Sequence, residues 1–175
     1  MNQRIDIIQR TINHLGARTY LEIGVAAATT FLAIDVAHKI GVDPKKPSPA
    51  LRKALYPGAV ENHEMTSDTF FATVAPTLFA HRSLEVAFVD GLHEWTQAVR
   101  DVENALRYLA DTGVIVMHDC NPTSELIATS CEEYERRRAD GSWPGGSWCG
   151  DTFKAVVWLR AVRPDLRIFV LDCDW

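Results

Sequence analysis

Two short segments carry the side chains best suited to chemistry. Asp90 and His93 follow one apolar run, and His118 and Asp119 follow another. Two carboxylates and two imidazoles can hold a hard divalent cation, tune a general base, or do both. The structural alternative is that His93 caps the helix after it and His118 hydrogen-bonds a neighbouring loop. Because all four residues stand where apolar runs end, we favour the chemical role.

The runs before these side chains have the composition of buried β-strands. Residues 84–90 and 114–117 are almost entirely apolar, which is typical of strands covered on both faces. Because parallel strands present their carboxyl ends at one edge of a sheet, we expect the four polar side chains in one crevice. Between the runs, an apolar stripe at helical spacing predicts a helix from Glu94, formed by Trp95, Ala98, Val99, Val102, Ala105, Leu106 and Leu109.

A third stretch, residues 20–43, has the pattern of strand, tight turn, helix and strand. Gly24 can take the positive φ that ends the first strand, and the three alanines after it allow a ligand to approach closely. The second strand ends at Asp43, where a carboxylate can accept hydrogen bonds from ribose hydroxyls. The helix start supplies backbone N–H groups for the polar end of the same ligand. The alternative is an ordinary buried βαβ unit with a small-residue turn.

The rest of the chain also alternates helices and strands, which predicts the α/β class. We expect one domain over residues 1–175, with a doubly wound, mostly parallel Rossmann-like sheet and helices on both faces. The further predicted elements are a helix ending at Gly16, a helix from Ser48, an edge strand at 60–65, a helix from Thr66, a helix at 125–138, a glycine-rich loop at 140–150, a helix at 151–160 and a strand at 166–172.

Composition narrows the function classes. The net charge of −5 argues against general nucleic-acid binding and against attachment to a membrane surface. The sequence shows neither a signal peptide nor a long apolar span, and its four cysteines are scattered without a Cys-x-x-Cys pair. We therefore expect a cytoplasmic protein with reduced thiols.

The stretch around Gly24 resembles the first motif of class I S-adenosylmethionine-dependent methyltransferases, Glu-x-Gly-x-x-x-Gly. Here the motif reads Glu22, Gly24 and Ala28, so alanine replaces the last glycine. The resemblance implies S-adenosyl-L-methionine as cofactor, with Glu22 supporting the loop, Gly24 at the amino-acid part and Asp43 at the ribose. Asp68 matches the position that approaches the adenine; alternatively, it is a first-turn acid favoured by the helix dipole.

Further motifs are similar to those of macrocin-type sugar and antibiotic O-methyltransferases. They are Asp90-Gly91-x-His93, the pair Arg100-Asp101, residues 118–122, and Trp148-Cys149-Gly150-Asp151 with Lys154. The resemblance spans residues 20–172 and implies methylation of a hydroxyl on a small molecule or glycan. That family's fold has seven strands, and the chain stops at Trp175 where the seventh should follow. We therefore expect the last strand to be missing.

The predicted mechanism uses a metal and a base. Asp90, Asp119 and His118 are the expected ligands of Mg²⁺ or another divalent metal, which would lower the pKa of the acceptor hydroxyl. His93 is the expected catalytic base together with Asp90, since histidine titrates near pH ~6.5. The same groups could act through hydrogen bonds alone.

Other functions are compatible with the sequence. A nicotinamide oxidoreductase is disfavoured by the missing glycines, and a His-Asp phosphohydrolase carries its His-Asp pair on helices. A degenerate methyltransferase fold kept as a binding or assembly module is the non-enzymatic alternative. If residues 166–172 form an edge strand, its unpaired backbone groups favour a homodimer.

Overall fold

A computed structural model describes residues 3–56 and 59–171. The described chain forms two compact units. The first contains residues 3–91 and 101–116, without 57 and 58, and the second contains residues 92–100 and 117–171. The prediction of a single domain over 1–175 stays a prediction.

The first unit contains the sheet. Its elements are α1 (Gln3–Leu15), β1 (Thr19–Ile23), α2 (Thr29–Ala33), β2 (His38–Val42), α3 (Pro49–Ala54), β3 (Val60–His63), α4 (Ser67–Thr73), α5 (Ala75–Leu78) and β4 (Leu84–Val89). Two further elements, α6 (Trp95–Leu106) and β5 (Leu109–Met117), have residues in both units. The second unit contains α7 (Cys131–Ala139) and α8 (Phe153–Val162).

The five strands lie in the order β3-β2-β1-β4-β5. β1 pairs in parallel with β2 and with β4, and β2 pairs in parallel with β3. Ile23, the last residue of β1, lies opposite Val42 on one side and Val89 on the other, so three strands end level. Parallel strands joined through helices confirm the predicted α/β class with a doubly wound Rossmann-like sheet. β3 is an edge strand, as its polar sequence predicts.

The core of the first unit lies between α1, α2 and the sheet. Ile8 and Ile12 of α1 are buried against Tyr20, Phe31 and Phe88, which confirms the amphipathic N-terminal helix. Burying each large apolar side chain of this kind stabilises the fold by roughly 1.5–3 kcal/mol. The helix ends at Leu15, and Gly16 directly after it has a φ of +62°, as expected for a helix C-terminus.

Three predicted element boundaries are wrong by at least three residues. The helix after the Gly24 turn, which the sequence predicts from Thr29 to Val36, ends at Ala33, because Ile34 adopts extended backbone angles. β5 begins at Leu109 and contains Gly113, so Leu109 belongs to a strand although it continues the apolar helical stripe. α7 begins at Cys131, where the hydroxyl of Ser130 accepts from the Glu133 amide and caps the helix.

The predicted strand at 166–172 is not formed in its described part. Residues 166–171 have no regular structure, and Asp172 lies outside the described residues. An extended apolar segment becomes a strand only where a neighbour completes its backbone hydrogen bonds. Here the Arg160 guanidinium donates to the Ile168 carbonyl at 3.1 Å, and Phe169 is 75% exposed. The homodimer expected from this edge stays a prediction.

Among the described residues, no helix is both long and apolar enough to span a membrane. The longest, α1, has 13 residues, whereas a bilayer requires about 20 mainly apolar residues. The expected cytoplasmic location stays a prediction.

Candidate active site

The turn after β1 comes close to the backbone at the end of β4. Gly24 has a φ of +89°, and a Cβ built on it would lie 1.9 Å from the carbonyl oxygen of Asp90. Its amide donates to the Val42 carbonyl at 2.9 Å. The chain at this point is therefore held between the ends of β2 and β4, and only glycine fits.

Two alanines in the same turn adopt left-handed backbone angles. Ala26 has a φ of 45° and Ala28 a φ of 65°, a conformation that costs an L-residue roughly 1–2 kcal/mol. Ala28, where the methyltransferase motif has glycine, is fully buried and precedes α2. Its amide donates to the Val25 carbonyl at 2.7 Å. The turn thus keeps a glycine-like shape in spite of the replacement.

Asp43, which the sequence predicts to bind a ribose, also hydrogen-bonds the backbone of the turn after β1. One carboxylate oxygen accepts from the Ala26 amide at 2.7 Å, and the other accepts from the Lys45 amide at 2.8 Å. The side chain is 8% exposed. Because a carboxylate has about four acceptor sites, Asp43 can fix the turn and still accept from a ribose hydroxyl.

Glu22 is a buried residue of β1, close to the start of the turn. It is 1% exposed, and the Tyr20 hydroxyl donates to it at 2.6 Å. Burial raises the pKa of Glu22 to about 8, with Asp90 adding to the rise; the Tyr20 hydrogen bond and the charges of Arg4 and Lys39 oppose it. The burial suits the predicted support of the loop and leaves little surface for direct ligand contact.

Asp90 and Asp68 are the other predicted site residues in the first unit. The Asp90 carboxylate accepts from the Arg4 guanidinium at 3.2 Å. Asp68 is exposed in the first turn of α4, which the Thr66 hydroxyl caps; a helix dipole favours an acid there. Sequence reasoning missed Arg4, since no local signal sets it apart in α1.

The second unit brings His93, His118 and Asp119 together. The Asp119 carboxylate lies with one oxygen 3.3 Å from Nδ1 of His93 and the other 3.1 Å from Nδ1 of His118. Asp119 is 6% exposed and has a φ of 56°, a left-handed conformation that aspartate tolerates better than most residues. A buried carboxylate between two imidazoles can orient either ring or help to bind a cation.

The surroundings of His93 favour one tautomer of its neutral ring. Nδ1 faces the Trp148 carbonyl at 3.2 Å as well as the Asp119 carboxylate. Both neighbours are acceptors, so the neutral ring keeps its proton on Nδ1 and carries its lone pair on Nε2. This is the tautomer that a histidine base requires.

Trp148 fixes the plane of the same ring. Its indole stacks on His93 with ring centres 5.0 Å apart and on Tyr134 with centres 4.2 Å apart. Its indole N–H also donates to the Thr129 carbonyl at 2.9 Å. These contacts hold the Trp148 indole against the His93 ring.

The segment after Trp148 packs on the His93 backbone. Gly150 has a φ of +64°, and a Cβ there would lie 1.9 Å from the His93 carbonyl oxygen. The Asp151 amide donates to that carbonyl at 3.2 Å, and the Asp151 carboxylate accepts from the Trp95 amide at 2.8 Å. Residues 148–151 therefore hold the backbone of His93 and of the start of α6 in place.

Comparison with known protein families gives a match to one family. Residues 17–120 match the family model described as a methyltransferase domain. The match covers more than half of the chain and includes the Gly24 turn, Asp43 and both His-Asp segments. No curated protein matches the sequence.

Proposed function

Because the chain belongs to the methyltransferase-domain family, we propose that it transfers a methyl group from S-adenosylmethionine to a hydroxyl of a small molecule or glycan. The observation that carries this proposal is the turn between β1 and α2. Three of its residues, Gly24, Ala26 and Ala28, have positive φ values, and the Asp43 carboxylate holds its backbone. The hydroxyl acceptor follows from the resemblance to macrocin-type enzymes.

The turn fits an adenosyl amino acid. Gly24 has no side chain to block a ligand, and Asp43 keeps acceptor capacity for ribose hydroxyls after binding two amides. Asp68 is our candidate for the contact with the adenine because of its position after β3. When bound, S-adenosylmethionine would supply an electrophilic methyl group.

His93 would take the proton from the acceptor hydroxyl. Its Nε2 would accept that proton while Nδ1–H stays directed at the Asp119 carboxylate, which would stabilise the charged imidazolium. Stacking on Trp148 would limit rotation of the His93 ring, so Nε2 would stay oriented in one direction. This part of the mechanism needs only residues of the second unit.

Divalent-metal assistance is the second element of the proposal. The carboxylate of Asp119 and the imidazole of His118 are donors that bind Mg²⁺ or Mn²⁺, and Asp90 stays a predicted third ligand. A bound cation would lower the pKa of the acceptor hydroxyl and fix its oxygen. His93 with Asp119 could act without a metal, so the two forms of the mechanism differ in their response to chelators.

Calorimetric titration with S-adenosylmethionine, S-adenosylhomocysteine and NAD tests the cofactor. We expect the first two to bind and NAD not to bind; the reverse result would favour an oxidoreductase and end the proposal.

Methyl transfer to a panel of hydroxyl compounds, with and without a chelator, tests the reaction. Loss of activity in chelator and its return with Mg²⁺ would support the metal, and full turnover in chelator would remove it. Tight cofactor binding without transfer to any acceptor would favour a binding module.

A further inference from the structure

α1 brings a positive charge to the end of β4. Nη1 of Arg4 lies 3.2 Å from the Asp90 carboxylate, across 86 positions of sequence. Asp90 itself adjoins the turn after β1, because its carbonyl oxygen lies where a Gly24 side chain would start. The Arg4 guanidinium therefore contacts Asp90, and the Asp90 backbone in turn lies against the turn proposed to bind the cofactor.

The charges around this turn are unfavourable for one part of that cofactor. S-adenosylmethionine ends in an α-amino acid, whose carboxylate would approach the acids Asp43 and Asp90 of the first unit. An anion near two acids needs a compensating cation, particularly where the surroundings are partly dry. Glu22, with its pKa raised to about 8 by burial, adds little negative charge at neutral pH.

Two cations act electrostatically on Glu22, namely Arg4 and Lys39. The Lys39 ammonium donates to the Phe31 and Leu32 carbonyls at 3.2 and 3.4 Å and lies 5.8 Å from the Phe31 ring. These contacts hold the Lys39 ammonium at the end of α2. The Arg4 side chain is 37% exposed, and its contact with Asp90 uses Nη1 alone of a guanidinium that has five N–H donors.

We propose that Arg4 binds the α-carboxylate of the cofactor and that Asp90 positions Arg4 for this contact. The inference rests on the proposed function and assigns to α1 a part in cofactor recognition. A guanidinium matches a carboxylate in a planar, two-bond geometry. Since one edge can face Asp90 and another the ligand, the ion pair with Asp90 and the contact with the cofactor are compatible.

Calorimetry with two ligands tests this role. The first is S-adenosylhomocysteine, and the second is its decarboxylated analogue, which keeps the adenosine, the sulfur and the amine. We expect the wild-type protein to bind the first more tightly, and R4Q to lose roughly 10- to 100-fold in affinity for it, as for a charged hydrogen-bond partner. Affinity of R4Q for the decarboxylated analogue should stay within about twofold of wild type. R10Q, which removes an exposed arginine of the same helix, should leave both affinities unchanged.

Other outcomes separate the possible errors. Equal losses for both ligands in R4Q would show that Arg4 only holds α1 in place, and the inference would fall. R4K keeps the charge and should recover part of the preference for the carboxylate; a melting temperature measured for each variant shows that it is folded. If the wild-type protein binds S-adenosylhomocysteine without any preference over the analogue, Arg4 recognition is wrong while the proposed function stands. If it binds neither ligand, the proposed function itself is wrong.

Discussion

A carboxylate oxygen of Asp43 lies 2.7 Å from the backbone nitrogen of Ala26 and accepts its hydrogen bond. The two residues are 17 positions apart and join the end of β2 to the turn after β1. The acid expected to bind ribose therefore also determines the shape of the turn that would bind the rest of the ligand. Loss of Asp43 should affect folding and binding together, and the two effects can be measured separately.

Asp43→Ala should lower the free energy of unfolding by about 1–3 kcal/mol, because it leaves two partly buried amides without their acceptor. Urea denaturation of the unliganded protein measures this loss. Calorimetry should show weaker binding of S-adenosylhomocysteine in the same variant. Asp43→Asn keeps a carbonyl acceptor and should be less destabilised. If Asp43→Ala retained wild-type stability, the Asp43–Ala26 hydrogen bond would not be fixing the turn.

Ala26→Gly should stabilise the protein by up to about 1 kcal/mol, since it removes a methyl group from a left-handed position. Ala26 is exposed, so no buried contact is lost. Ala27→Gly is the matched control: Ala27 is also exposed but has no positive φ, and glycine there should destabilise by about 0.4–1 kcal/mol. Chemical denaturation of both variants measures the two changes in the free energy of unfolding. Changes of the same sign in both variants would contradict backbone strain at Ala26.

Glu22 should make stability fall as pH rises. Its pKa lies above the ordinary value of 4.5, at about 8 in the folded protein, so the native state binds a proton that the unfolded chain has released. The stabilising contribution is complete below pH 4.5 and is lost by the time pH passes about 8. Glu22→Gln cannot ionise, so its melting temperature should decline less than that of wild type between pH 5 and 8. Parallel curves for the two proteins would show that Glu22 is not protonated in the folded state.

His93→Ala should reduce methyl transfer to an accepted hydroxyl substrate by about 10²- to 10⁴-fold, the usual contribution of a general base. Asp119→Asn should also reduce the rate, because the amide cannot stabilise the imidazolium as a carboxylate does. Both rates are measured at saturating cofactor, with calorimetric affinity for S-adenosylhomocysteine as the check on folding. His81→Ala, an exposed histidine elsewhere, is the control. If His93→Ala kept the turnover of the wild-type protein, His93 would not be the catalytic base.

The sequence by itself determined the features that depend on near neighbours. Apolar runs located β1, β2 and β4, and glycine with a following acid located the turn at Gly24 and its partner strand. Ser48 and Thr66 marked helix starts, and their hydroxyls do accept from Leu51 and Thr69. These features can be predicted because steric limits, hydrogen bonds between close residues and side-chain periodicity act within a few positions. The family resemblance, carried by the same segments, is confirmed at the level of the methyltransferase domain.

Tertiary structure alone decided which distant side chains meet. Arg4 reaches Asp90 across 86 positions, and Trp148 reaches His93 across 55; nothing local in the sequence announces either contact. The segment at 166–171 has strand-like composition and yet stays irregular, whereas Leu109 continues a helical stripe and yet starts β5. Ion pairs, ring stacking and strand pairing need a partner at the right distance and direction. That partner is supplied by how remote segments pack, which local pattern does not specify.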